Sequence, residues 1–89
     1  MQDELGRERI RKALVKVIGD VNQDIAHRKA RMDAILARMD AFRRAGNLEH
    51  WEAYLPRLKG HENAICALFT RRAGLVKALW TIQGVREAG

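Results

Sequence analysis

Apolar residues recur at steps of three and four along most of this chain. Over about residues 5–45 they are Ile10, Leu14, Val17, Val21, Ile25, Met32, Ile35, Met39 and Phe42, with Ile18 and Leu36 widening the stripe. That spacing keeps the side chains on one face of an α-helix. The same pattern returns over about residues 48–85, through Leu58, Ile65, Leu68, Phe69, Leu75, Val76, Leu79, Trp80 and Ile82. β-branched residues are few and do not alternate, which argues against sheet.

Between the two stripes stands Gly46-Asn47. Glycine suits the left-handed position that closes a helix, and asparagine suits the N-cap that opens the next. Arg43 and Arg44 fall where the dipole of the first helix favours cations, and Asp3 is placed to cap its start. The pair therefore reads as a tight turn at 46–47 joining two helices. Pro56 lies too deep in the second helix to be harmless, because it removes a backbone donor and crowds the carbonyl four residues earlier. A kink or a break is expected there. Gly84 and Gly89 mark the far end.

Two long apolar stripes and a short turn predict an all-α fold, one long antiparallel helical hairpin forming a single domain over 1–89. The helices should pack at a shallow angle. At 1.5 Å per residue each is about 55–60 Å long. The apolar arc of the second helix is wider than one neighbouring helix covers. Trp51, Tyr54, Phe69, Leu75, Val76 and Trp80 make up the surplus, the composition of an association surface. With 89 residues, a chain of this size buries only about 60–65% of its unfolded surface. Pairing is the usual remedy. The expected assembly is a homodimeric four-helix bundle or a comparable hetero-assembly.

Polar residues interrupt both stripes: Asp24 and Arg28 on the first helix, and His61, Arg72 and Gln83 on the second. Folding the chain about residues 46–47 puts Arg72 near Asp24 and Arg28 near Glu62. These two cross-helix pairs would fix register and partner choice.

Charge adds a further surface. The chain carries a formal net charge of +6, which favours anionic partners. Arg9, Lys12, Lys16, His27, Arg31 and Arg38 fall along one side of the first helix, interrupted by Asp20. Such a stripe can follow a phosphate backbone or contact an acidic protein. It can also be a solvated face whose long stems shield the core edge. Ala26, Ala30 and Ala34 on one helix and Gly60, Ala64 and Ala67 on the other permit close approach, although alanine is also simply the best helix former.

Candidate chemistry is thin. His61-Glu62 opens like a zinc-protease motif, but the second histidine would fall at residue 65, which is Ile65. The metal is held by two ligands one turn apart, so the pattern fails where its physics matters. Cys66 lies five residues from His61 on another face, so it lacks a base on its own helix. No glycine-rich phosphate loop exists. The expectation is a non-enzyme with no metal, cofactor or small-molecule substrate. The lone cysteine fits a reduced, cytoplasmic setting. The polar opening Met1-Gln2-Asp3-Glu4 does not read as an export signal, and no stretch approaches the roughly 20 apolar residues of a membrane span.

Two functions follow from these features. The first is a small protein-interaction module, of adaptor, chaperone-like or inhibitory type, that self-associates and binds a macromolecular partner, in the first place a protein. The second is a basic nucleic-acid-binding hairpin dimer that uses one flank of the first helix.

Overall fold

A computed structural model describes residues 2–84. It contains two helices, α1 (Gln2–Arg44) and α2 (Leu48–Gln83), and no strand among the described residues. They form the expected antiparallel hairpin. Contacts across it run in opposite directions along the two helices: Arg72 meets Asn22, Arg28 meets His61, and Arg38 meets Tyr54.

The turn follows from its sequence. Gly46 adopts φ +73°, which costs a residue without Cβ little. Its N–H donates to the Arg43 carbonyl at 3.0 Å, and the Asn47 N–H donates to the Phe42 carbonyl at 2.8 Å. This is the two-bond Schellman closure, which satisfies carbonyls the helix end would otherwise leave free. Asn47 Oδ1 then accepts from the His50 backbone N–H at 3.3 Å and caps α2. One dipeptide ends one helix and starts the next.

The helix limits differ from the sequence reading at both outer ends. α1 begins at Gln2, so Asp3 lies inside its first turn and is not its cap. α2 ends at Gln83, where Gly84 takes φ +76° and its N–H donates to the Thr81 carbonyl at 3.2 Å; residue 85 and Gly89 lie outside the described residues. α2 is also unbroken at Pro56. The missing donor leaves the Glu52 carbonyl without its helical partner. Glu52 and Pro56 are both exposed, so water can take that hydrogen bond and the helix continues.

The seam between the helices keeps a strict seven-residue repeat. On α1 it contains Val21, Arg28, Ile35 and Phe42 beside Ile18, Ile25, Met32 and Met39; on α2, Leu58, Ile65, Arg72 and Leu79 beside His61, Leu68, Leu75 and Ile82. This is the periodicity of a left-handed coiled coil. Val21, Ile25, Met39 and Ile65 are the only buried hydrophobic residues among those described. The molecule measures 67 × 28 × 15 Å. A body 15 Å thick is a single layer of helices, each about 10–12 Å across with its side chains. Both broad faces are therefore surfaces, and only the seam between the helices is core.

Candidate functional site

Each residue advances about 100° around a helix, so the seam separates two flanks on α1 and two on α2. Antiparallel pairing joins these flanks into two broad faces with different chemistry.

The first face is mainly apolar. On α1 its row, every seventh residue, is Val15, Asn22, Lys29 and Leu36; on α2 it is Leu55, Glu62, Phe69 and Val76, with Trp80 beyond it. Val15, Leu36, Leu55 and Trp80 are exposed, Trp80 to 48%. Phe69, Val76 and Trp80 edge a shallow depression of about 390 Å³ with Arg72, Ala73 and Lys77. Two cations bracket the Phe69 ring, Lys29 Nζ at 5.4 Å and the Arg72 guanidinium at 4.7 Å from its centroid.

The second face is basic. A groove of about 660 Å³ runs between the helices, walled by Asp24, His27, Arg28 and Arg31 of α1 and by Arg71 of α2, over a floor of Ala64, Ala67 and Leu68. It continues, across the shared residues Arg28, Arg31 and Ala64, into a space of about 650 Å³ that adds Arg57, Gly60 and His61. Arg28 Nη1 lies 3.4 Å from His61 Nδ1, with the guanidinium as donor. Further along, Arg38 Nη1 donates to the Tyr54 hydroxyl at 3.4 Å, and the Arg57 guanidinium lies 5.4 Å from the Tyr54 ring centroid.

The carboxylates that form ion pairs sit elsewhere. Near the hairpin turn Asp40 accepts from Arg43 and Arg44, each at 2.9 Å. The hydrogen bond from Arg43 holds the Asp40 carboxyl below its usual range, and the Arg44 charge adds to this. Near the open end Glu8 pairs with Arg11 at 2.6 Å, which lowers the Glu8 carboxyl through the hydrogen bond. Lys16 pairs with Asp20 at 3.2 Å. None of Arg28, Arg31, Arg38, Arg57 and Arg71 makes an ion pair among the described residues.

Several sequence expectations are redistributed. Phe69, Val76 and Trp80 share the apolar face, Leu75 lies in the seam, and Trp51 stands half-buried at the turn end of the seam. Tyr54 does not belong with them. It packs against Phe42 at 5.7 Å between centroids and turns to Arg38 and Arg57 on the basic side. The pair Arg72–Asp24 does not form: Arg72 Nη1 donates to Asn22 Oδ1 at 2.9 Å. Asn22 and Asp24 leave the helix on opposite sides of Val21, and the Arg72 guanidinium turns to the side that holds Phe69. The pair Arg28–Glu62 does not form either. Arg28 meets His61, because Glu62 belongs to the row on the apolar face.

The basic flank also divides. Arg31 belongs to the groove and Arg38 continues its line. Arg9, Lys12 and Lys16 are exposed and lie about two turns or more beyond Asp24 along α1. Arg57 and Arg71 of α2, which complete the opposite wall, were not singled out from the sequence. Their signal was present in the hairpin register, which sets them against Arg31. Cys66 is exposed, and no group of three metal-ligating side chains occurs among the described residues. No helix among the described residues is long and apolar enough to cross a membrane. No family model matches the chain, and no curated protein or solved structure shows significant similarity to it.

Proposed function

We propose that this chain is a small non-enzymatic interaction module, a helical hairpin that pairs with a second copy of itself through its apolar face and presents its remaining surface to a macromolecular partner. The observation that carries this reading is the exposed apolar row, with Trp80 beside it 48% exposed, where the described residues bury only four hydrophobic side chains. Exposed large apolar side chains gathered on one face are a mark of association.

A second copy fits the face because the face is self-complementary. Its rows stand level across the seam: Val15 beside Val76, Asn22 beside Phe69, Lys29 beside Glu62, Leu36 beside Leu55. Two hairpins stacked about an axis along the rod would set each α1 row over the partner's α2 row. Lys29 would then lie over Glu62 of the partner copy, with Leu36 over Leu55 on one side and Asn22 over Phe69, then Val15 over Val76, on the other. Within one chain these two make no ion pair. A face of 67 × 28 Å also exceeds the roughly 800 Å² per partner of a standard interface.

Sedimentation equilibrium tests the reading. The wild type should be a dimer. Lys29→Glu and Glu62→Lys should each shift it toward monomer, and the double exchange should restore the dimer. A monomer at all concentrations from micromolar to millimolar, or a double variant no better paired than the singles, would refute it.

A further inference from the structure

The opposite face supports a separate conclusion, which does not rest on self-association because the groove is built within one chain. Its charge is uncompensated. Outside the groove, Glu8, Asp20 and Asp40 are engaged by Arg11, Lys16, Arg43 and Arg44, whereas the groove holds Arg28, Arg31, Arg57 and Arg71 against one acid, Asp24.

The arrangement selects among polyanions. Every cation lining the groove, histidines aside, is arginine. The guanidinium offers a planar, permanently charged fork that matches phosphate bidentately and sheds water more readily than an ammonium. The arginines stand on both walls, so an anionic chain lying along the groove is held from two sides. Arg31 and Arg38 are seven residues apart on one wall, and Arg57 and Arg71 fourteen apart on the other. At 1.5 Å per residue that is about 10 Å and 21 Å, a periodic charge that suits a periodic backbone.

The floor speaks against an acidic helix of another protein as occupant. Ala34, Gly60, Ala64 and Ala67 form most of it. A helix laid in a groove is anchored by large apolar side chains in pockets, and this floor offers shallow relief beneath a charged rim. Small residues instead let a backbone sink between the arginine walls. Tyr54, beside Arg38 and Arg57, ends the track with an aromatic face.

We propose that this arginine-walled groove binds the phosphodiester backbone of a nucleic acid, without reading its sequence. Affinity then comes from phosphate contacts and counterion release, and it falls steeply with salt.

Fluorescence anisotropy with a labelled RNA duplex, a DNA duplex and a labelled single strand, each titrated at several salt concentrations, tests this. Arg31→Gln/Arg57→Gln/Arg71→Gln is compared with Arg9→Gln/Lys12→Gln/Lys16→Gln, which removes the same charge outside the groove. Circular dichroism checks that both remain helical. The groove variant should flatten the salt slope by up to about 2.7 on a duplex or about 2.1 on a single strand, and the control by much less. The arm with the steeper wild-type slope identifies the form of nucleic acid bound. Equal losses in the two variants would overturn the proposal, since net charge and not the groove would be responsible. Absence of binding, or tighter binding to polyglutamate than to either nucleic acid, would overturn it as well.

Discussion

Replacing Arg72 tests how a charged residue is accommodated in the seam. Its side chain makes one hydrogen bond, to Asn22 Oδ1 at 2.9 Å, and lies 4.7 Å from the centroid of Phe69. A hydrogen bond with one charged partner contributes about 1.5–3 kcal/mol, and solvent access at this half-exposed site favours the lower end. The cation–π contact adds about 0.5–1 kcal/mol at an accessible site. The stem also covers apolar surface. Arg72→Ala should therefore cost about 2–3 kcal/mol, below the roughly 3–5 kcal/mol of a broken buried ion pair, since the partner is a neutral amide that water can reach. Arg44→Ala, whose partner Asp40 is shared with Arg43 at the surface, should cost about 0–1 kcal/mol. A double-mutant cycle isolates the hydrogen bond. With Asn22→Ala as the second arm, the coupling should be about 1.5 kcal/mol, the lower end of the range for a hydrogen bond with one charged partner. The assay is urea unfolding followed by far-ultraviolet circular dichroism at one fixed protein concentration, because association shifts apparent stability. Zero coupling between positions 22 and 72 would refute the assigned pair. Strong coupling with Asp24→Ala in its place would restore the ion pair that the sequence suggested.

Two further outcomes follow from the turn. Gly46→Ala should lower the unfolding free energy by about 1–2 kcal/mol: φ is +73° and no atom lies within 4 Å of an added Cβ, so the cost is purely of the backbone, and an unchanged urea midpoint would contradict it. Asp40 has its carboxyl pKa lowered by Arg43, so its contribution should be fully present above the ordinary carboxylate range and lost as pH falls through the depressed folded value; Asp40→Asn should lower the melting temperature slightly at neutral pH and not below that value, and an equal difference at both would remove the assignment.

The sequence shows the fold more fully than the site, for a physical reason. Apolar periodicity and the Gly46-Asn47 pair are local signals, and each fixes one element without reference to the rest. The register follows from them, and it correctly brings position 72 to the height of Val21. The signal is weaker one residue to either side. Asn22 and Asp24 flank the same seam residue, and which one Arg72 meets depends on where its long side chain finds the Phe69 ring. The groove demanded more. Arg57 and Arg71 look like ordinary solvated charge on α2, and they become the wall opposite Arg31, which the basic stripe of α1 already marks, only after the helices are folded together. At Pro56 the helix continues without a break, because the carbonyl that loses its donor lies at the exposed surface, where water can reach it.

The closure at Gly46 also sets an order of events. Contacts across an antiparallel hairpin have sequence separations that grow with distance from the turn: 16 for Arg38 and Tyr54, 33 for Arg28 and His61, 50 for Arg72 and Asn22. The entropy of closing a loop grows only logarithmically with its length, and each pair formed nearer the turn shortens the free loop that the next must close. Closure outward from residues 46–47 is therefore the order that costs the least loop entropy. Substitutions near the turn act mainly on the folding rate, and those toward the open end, around Leu14 and Leu79, act mainly on unfolding. The single dipeptide that punctuates the sequence is in this sense a kinetic origin for the whole rod.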